Sequence, residues 1–212
     1  MNGKVAAEKK RGIAPLLLMI AIFAAPMIAA WFFYLNPEYL PSGRTNRGEL
    51  IDPVVTVPPE LGLFTPEGVA LDRSALEGKW TLVYLAGSEC EAACRDRLIA
   101  IRQIRLAVGE DQISVARLLI LTDPAAGDLA SELAADFAGM KVALADAAGG
   151  VRLLDLLGQG SAAVGRIYIL DPMGNLMMRY ASDAPAQDTL EDMERLLKAS
   201  RNWIKGAKYG HK

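Results

Sequence analysis

The sequence predicts an α/β sandwich around a central mixed sheet, preceded by one transmembrane helix. Three observations predict it: an uncharged apolar run from Gly12 to Pro37, short β-forming runs alternating with amphipathic stretches between Lys79 and Tyr180, and a last amphipathic stretch from Asp188 to about Lys205. The 212 residues are 52% apolar and 23% charged, which supports one membrane-attached domain of ordinary size and excludes disorder as the main theme. A net charge of −2 excludes broad electrostatic binding to nucleic acid, because no basic excess exists to displace counterions from phosphate.

The first element is IAPLLLMIAIFAAPMIAAWFFYL, Ile13 to Leu35. At helical rise it spans roughly 35 Å, enough to cross a hydrocarbon core of about 30 Å. Trp31, Phe32, Phe33 and Tyr34 at its exit are rings favoured at the headgroup level. Pro15 falls in the first turn, and a membrane helix tolerates Pro26 as a kink. A cleaved signal peptide is the alternative, but the run is long for such a core and no small-x-small cleavage site followed by polar chain precedes Asn36. Lys4, Lys9, Lys10 and Arg11 precede the span with Glu8 the only acid, so the N-terminus is expected in the cytoplasm and the mildly acidic remainder outside.

Asn36 to Pro66 is Pro-containing and weakly periodic, as in a stalk or an extended cover strand. KWTLVYLA, Lys79 to Ala86, is bounded by Gly78 and Gly87 and reads as a buried strand. Glu91 to Val108 has helical periodicity, Ser114 to Leu121 is a second strand, Gly127 to Phe137 a helix, and Lys141 to Ala145 a third strand. A short helix over Gly150 to Leu157 precedes a hairpin whose arms, Arg166 to Asp171 and Leu176 to Tyr180, flank the turn Pro172-Met173-Gly174-Asn175. The chain thus divides into a cytoplasmic N-terminus at 1–11, an anchor at 12–35, a linker at 36–66, a sandwich domain at 67–205 and a flexible tail at 206–212.

Chemistry centres on two cysteines, Cys90 and Cys94, placed directly after the first strand where a helix opens. Four-residue spacing on one helical face puts their Cβ atoms roughly 5 to 6 Å apart. Slight fraying of the first turn then allows a disulfide or a shared metal. The positive end of the helix favours thiolate, the species needed both for disulfide exchange and for Cu(I). A structural cystine is the bland alternative, though its short loop stabilises little. Zinc is disfavoured because a closed site wants about four Cys or His ligands, and the one histidine is His211 in the tail. Met177 and Met178 alternate along a strand and read as core packing rather than thioether ligands. Asp123 and Asp171 read as turn caps, and Arg95 to Arg105 as a solvated helix face.

These residues resemble the SCO family, the membrane-tethered thioredoxin-like proteins of cytochrome c oxidase assembly. Gly78-Lys79-Trp80 leading into Cys90-x-x-x-Cys94 looks like that family's strand and cysteine elbow, Leu119 to Pro124 like its next strand end, and IYILDPMG, Ile167 to Gly174, like its hairpin. The resemblance implies a thioredoxin-like sandwich over about residues 62–205, with Cys90 the more exposed, first-reacting thiol and Cys94 its partner. It implies thiol-disulfide exchange, with thiol-disulfide oxidoreductase as the enzyme class, and handling of Cu(I) by the same pair. The implied partners are membrane lipid through the anchor and a copper-containing oxidase subunit or another copper chaperone. The implied location is the inner membrane with the domain in the periplasm. The family histidine lies eight residues before the hairpin aspartate, and here that position is Ala163. Glu91 and Arg95 stand where the family has proline after each cysteine. A two-thiol site without imidazole suits Cu(I) and not Cu(II). A non-catalytic assembly subunit acting by docking is the alternative function.

Overall fold

The computed structural model describes residues 13–36, 39, 46–58, 60 and 62–209, with side chains as far as residue 200. The basic flank Lys4, Lys9, Lys10 and Arg11, the linker prolines Pro37, Pro41 and Pro59, and His211 lie outside the described residues. Two compact units are present, Met1–Thr45 and Asn46–Lys212.

The first unit contains the helix α1, Ala14–Leu35, with Pro15 in its opening turn and Pro26 inside it. No residue of α1 is buried, and it is long and apolar enough to cross a membrane. Asn36 closes it, its backbone N–H and Nδ2 both donating to the Phe32 carbonyl at 3.0 and 2.8 Å.

The second unit is a three-layer α/β/α sandwich on an eight-stranded mixed sheet in the order β1-β8-β7-β4-β5-β6-β2-β3. In chain order the elements are β1 (Glu49–Thr56), β2 (Leu63–Phe64), β3 (Ala70–Leu71), β4 (Trp80–Ala86), α2 (Ala92–Ala107), β5 (Val115–Leu121), α3 (Gly127–Asp136), β6 (Lys141–Ala145), α4 (Ala147–Leu156), β7 (Ile167–Leu170), β8 (Asn175–Tyr180) and α5 (Ala186–Tyr209). Strands β4, β5 and β6 run parallel, while β7 pairs antiparallel to β4 and β8 to β7. Every residue of β4 is buried, as a central strand covered on both faces requires.

The helices sort by which face their apolar stripe reaches. Leu98, Ile101 and Ile104 of α2, Ala130 and Leu133 of α3, and Met193 and Leu197 of α5 pack with Leu82, Leu119 and Leu121 on one face. Leu153 and Leu157, from α4 and its C-cap, pack with Leu76, Val83, Leu118 and Tyr168 on the other. Trp80 Nε1 donates to Ser200 Oγ at 3.1 Å, fixing α5 on β4.

Strand β1 lies inside the segment 36–66 expected as a linker, where it pairs antiparallel with β8 as an edge strand. Its pairing is irregular between Leu50 and Val55, around Pro53, the kind of site where an edge strand accepts proline. The chain reaches this edge through Gly48, where a Cβ would come 2.6 Å from the Tyr180 ring. Asp192, 2% exposed, fastens the same entry: it accepts from the backbone N–H groups of Arg47 and Gly48 and from Tyr180 Oη at 3.0 Å. The hairpin turn is capped by Asp171, which accepts from the N–H groups of Met173 and Asn175, and Gly174 takes a φ of +80° there.

Candidate functional site

Strand β4 ends at Ala86, whose carbonyl is held from both the Thr122 N–H at 2.9 Å and Thr122 Oγ1 at 3.2 Å. The end of β4 is thereby tied to the end of β5. Ser88 and Glu89 are exposed in the turn that follows, Cys90 turns inward, and Glu91 is the extended N-cap of α2. The helix opens at Ala92, one residue later than the periodicity predicts, which places Cys94 in its first turn.

Cys90 and Cys94 are joined by a disulfide, their Cα atoms 5.0 Å apart. The extended backbone at Glu91 lets the two approach without fraying the helix. Their exposure is the reverse of expectation. Cys90 is 8% exposed and packs in the core beneath α2, whereas Cys94 is half-buried against the edge of that core. The inward turn before the N-cap is the physical reason.

The charges around the pair are mostly committed. Arg95 forms ion pairs with Glu132 and with Asp136, the latter at 3.0 Å, and so ties α2 to α3. Arg97 donates to the carbonyls of Ser182 and Ala184, holding the β8–α5 connection against α2. Arg105 donates Nε to the Val115 carbonyl at 2.9 Å. Arg95, Arg97 and Arg105, expected as part of a solvated face, therefore staple the helix to its neighbours, while Arg102 is exposed as expected. Beneath them, burial raises the Tyr84 phenol above its ordinary value, with Arg97 opposing the shift. No acid stands in the first turn of α2, so its N–H groups meet no carboxylate there.

Ala163 ends a short 3₁₀ turn, Gly160–Ala163, and is fully buried in the cluster on the α4 face, not the face that receives Cys90. Its carbonyl accepts from Tyr168 Oη at 3.4 Å. Among the described residues no group of three His, Cys, Asp or Glu side chains is placed to hold a metal. Met178 is buried and Met177, half-buried, packs against the same core, so both serve packing although alternation sends only one of them inward. Asp123 accepts from the Ala125 N–H at 2.8 Å and Asp171 caps its turn, so both serve backbone geometry. Sequence reasoning missed the Asp192 clamp; its one signal is an acid on the inward stripe of the last helix.

A family model described as transmembrane-like, thioredoxin-like, C-terminal domain matches residues 80–200. A search of curated proteins by sequence finds no match. Among solved structures, yeast Sco1 with copper bound aligns at 18% identity and a TM-score of 0.56, over 69% of this chain and 90% of that one. Apo Sco1 from Thermus thermophilus aligns at 16% and 0.58, over 73% and 99%. BsSco, a member of the Sco family of cytochrome c oxidase assembly proteins in which a disulfide switch was identified, aligns at 15% and 0.53, over 69% and 95%. At these identities the likeness is one of fold.

Proposed function

The chain belongs to the transmembrane-like, thioredoxin-like family, and from that membership we propose a membrane-anchored, extracytoplasmic protein of the SCO type that assists cytochrome c oxidase biogenesis through Cys90 and Cys94. The observation that carries this reading is the disulfide at the strand-to-helix elbow, with one of its cysteines half-exposed. Helix α1 is the anchor, with the basic flank Lys4, Lys9, Lys10 and Arg11 cytoplasmic and the sandwich on the far side of the inner membrane.

Thiol-disulfide exchange is the step the donor set fits directly. The reduced pair passes two electrons and two protons to a partner disulfide, and ends as the Cys90–Cys94 bond while the partner ends as a dithiol. An incoming thiolate from a reducing partner reaches Cys94 first, since Cys90 lies inside; the bond formed is partner sulfur to Cys94, and Cys90 leaves as thiolate. The N-terminal end of α2 supports the negative sulfur, while Glu89 and Glu91, which flank Cys90, oppose it.

Copper enters as a substrate of the reduced pair. The oxidised sulfurs are bonded to each other and offer no thiolate, so reduction precedes binding. Two thiolates suit Cu(I), while Cu(II) lacks imidazole, because Ala163 occupies the counted position. The yeast relative solved with copper bound supports this second reading.

The test replaces both cysteines with Ala in the native host and measures assembled copper oxidase at matched protein abundance. Loss of oxidase is expected. Full assembly contradicts the chemistry and leaves a protein that works by docking.

A further inference from the structure

The hairpin between β7 and β8 carries an irregularity that packing alone does not require. Ile169 pairs with Met178 and Leu170 with Leu176, so Met177 is an extra residue without a partner on β7, a β-bulge. The bulge cancels ordinary alternation. Leu176 joins the cluster on the α4 face, whereas Met177 and Met178, one after the other, both lie on the face of α2, α3 and α5. Met178 is sealed there, while Met177 stays half-buried. A bulge that re-aims one side chain draws attention to what that side chain then meets.

Met177 lines a recess of about 690 Å³ between the hairpin and α5, together with Trp80 and Leu196. Met173, in the turn and 55% exposed, lines the same recess. The turn and the bulge thus bring two thioethers to one space. Each methionine has three rotatable bonds, so both sulfurs can converge on a single ion. Asp171 is the one charged residue of the described lining and is 5% exposed. Its carboxylate accepts only from neutral donors, the N–H groups of Met173 and Asn175 and Asn175 Nδ2, so its negative charge lacks a counter-cation. Arg73, which donates to the Met173 carbonyl, is itself paired with Glu77 at 2.9 Å. Trp80 spends its N–H on Ser200, and its indole is the ring type that attracts a cation best.

We propose that this recess is a second soft-cation site, in which Met173 and Met177 bind Cu(I) through their thioether sulfurs, Asp171 supplying negative charge and Trp80 the wall. Thioethers are soft donors suited to Cu(I), and the half-exposed Met173 gives the ion a way in. Binding moves no electron and displaces no proton, because a thioether has none to lose. The site lies at the end of the sheet away from the cysteines: Trp80 opens β4 and Leu170 pairs with Thr81, whereas Cys90 follows the close of β4 at Ala86. Unlike the cysteine pair, it needs no reduction. The choice of copper rests on the Cu(I) handling proposed above, while the thioether site itself does not.

The experiment titrates full-length protein in neutral detergent, with the Cys90–Cys94 bond closed, with silver nitrate in chloride-free buffer, Ag(I) being a soft monovalent ion that stands in for Cu(I) without redox chemistry. Calorimetry and the methionine ε-methyl resonances of carbon-13-labelled protein are the readouts. One equivalent is expected to bind, shifting two methyl signals that disappear in Met173→Leu and Met177→Leu. Each of these volume-conserving variants is expected to weaken binding at least tenfold, and the double variant to abolish it, with melting close to wild type. Cys90→Ala with Cys94→Ala is expected to bind Ag(I) as the wild type does. Uptake by the oxidised wild type that persists in the double methionine variant overturns the proposal, as does loss of uptake in the cysteine variant. Ag(I) bound only after reduction leaves the thiol reading standing and overturns this one.

Discussion

Reducing the Cys90–Cys94 bond tests whether the domain is built to switch or merely stapled. The loop it closes is five residues long, from a sequence separation of 4. In the chain-entropy treatment, closing so short a loop removes about 7 cal/mol/K from the unfolded chain, or about 2 kcal/mol at 25 °C. The thiol released at Cys90 is a small, weakly polar group among apolar neighbours, so it adds little desolvation cost. Reduction is therefore expected to lower the melting temperature of the sandwich by about 4 to 8 °C and to leave unfolding cooperative. In electrical terms the fold makes this bond only about 45 mV harder to reduce than in the unfolded chain. The assay is thermal denaturation of the full-length protein in detergent with and without a phosphine reductant, followed by circular dichroism. A fall beyond about 15 °C, or loss of the cooperative transition, refutes the reasoning and makes the bond a structural staple.

Other perturbations separate packing from chemistry. Ala163→His restores the imidazole that the sequence resemblance counts to this position, but Ala163 is 0% exposed in a packed cluster. The variant is expected to lose about 1 to 3 kcal/mol by overpacking and to gain no Cu(II) affinity, checked by melting and copper titration. Asp192→Ala removes the acceptor shared by the Arg47 and Gly48 N–H groups and Tyr180 Oη, at an expected cost of about 3 kcal/mol in urea unfolding. Burial, with Asp192 beside it, raises the Tyr180 phenol far above its ordinary value, so the folded state holds that proton longer than the unfolded chain does. The resulting stability is complete below about pH 10 and drains away as pH climbs past it. Tyr180→Phe is expected to flatten that alkaline decline without removing it, since burial raises Tyr84 and Tyr168 too; pH-dependent denaturation reads the slope.

Much of this molecule is legible from its residues alone, for physical reasons that differ by element. Strands β4, β5 and β6 are short β-forming runs bounded by Gly, Pro or Asp, and a central parallel strand buried on both faces leaves that mark in sequence. The hairpin announces itself through Asp171, which caps the turn, and Gly174, which takes its left-handed residue. Strand β1 does not, because ELIDPVVT is mostly exposed and contains Pro53; only the open edge of β8 makes it a strand. The cysteine spacing locates the elbow, yet which sulfur faces inward depends on the extended backbone of Glu91, a tertiary detail. Counting eight residues back from Asp171 arrives at Ala163 but says nothing about burial, which is set by Val83, Leu85 and Tyr168 across the fold. Arg117 is visible as a lone charge in an apolar strand, while the lack of a hydrogen-bond partner for its buried Nε and Nη1 depends on neighbours from distant segments.

The most direct measurement equilibrates full-length protein with dithiothreitol or glutathione buffers of graded potential and counts free thiols by alkylation and mass shift. A working thiol switch gives one reversible two-electron transition above about −300 mV, with Cys94 labelled faster than Cys90 in the reduced form. A transition below about −300 mV, or thiols that stay unreactive after reduction, contradicts redox work at Cys90 and Cys94.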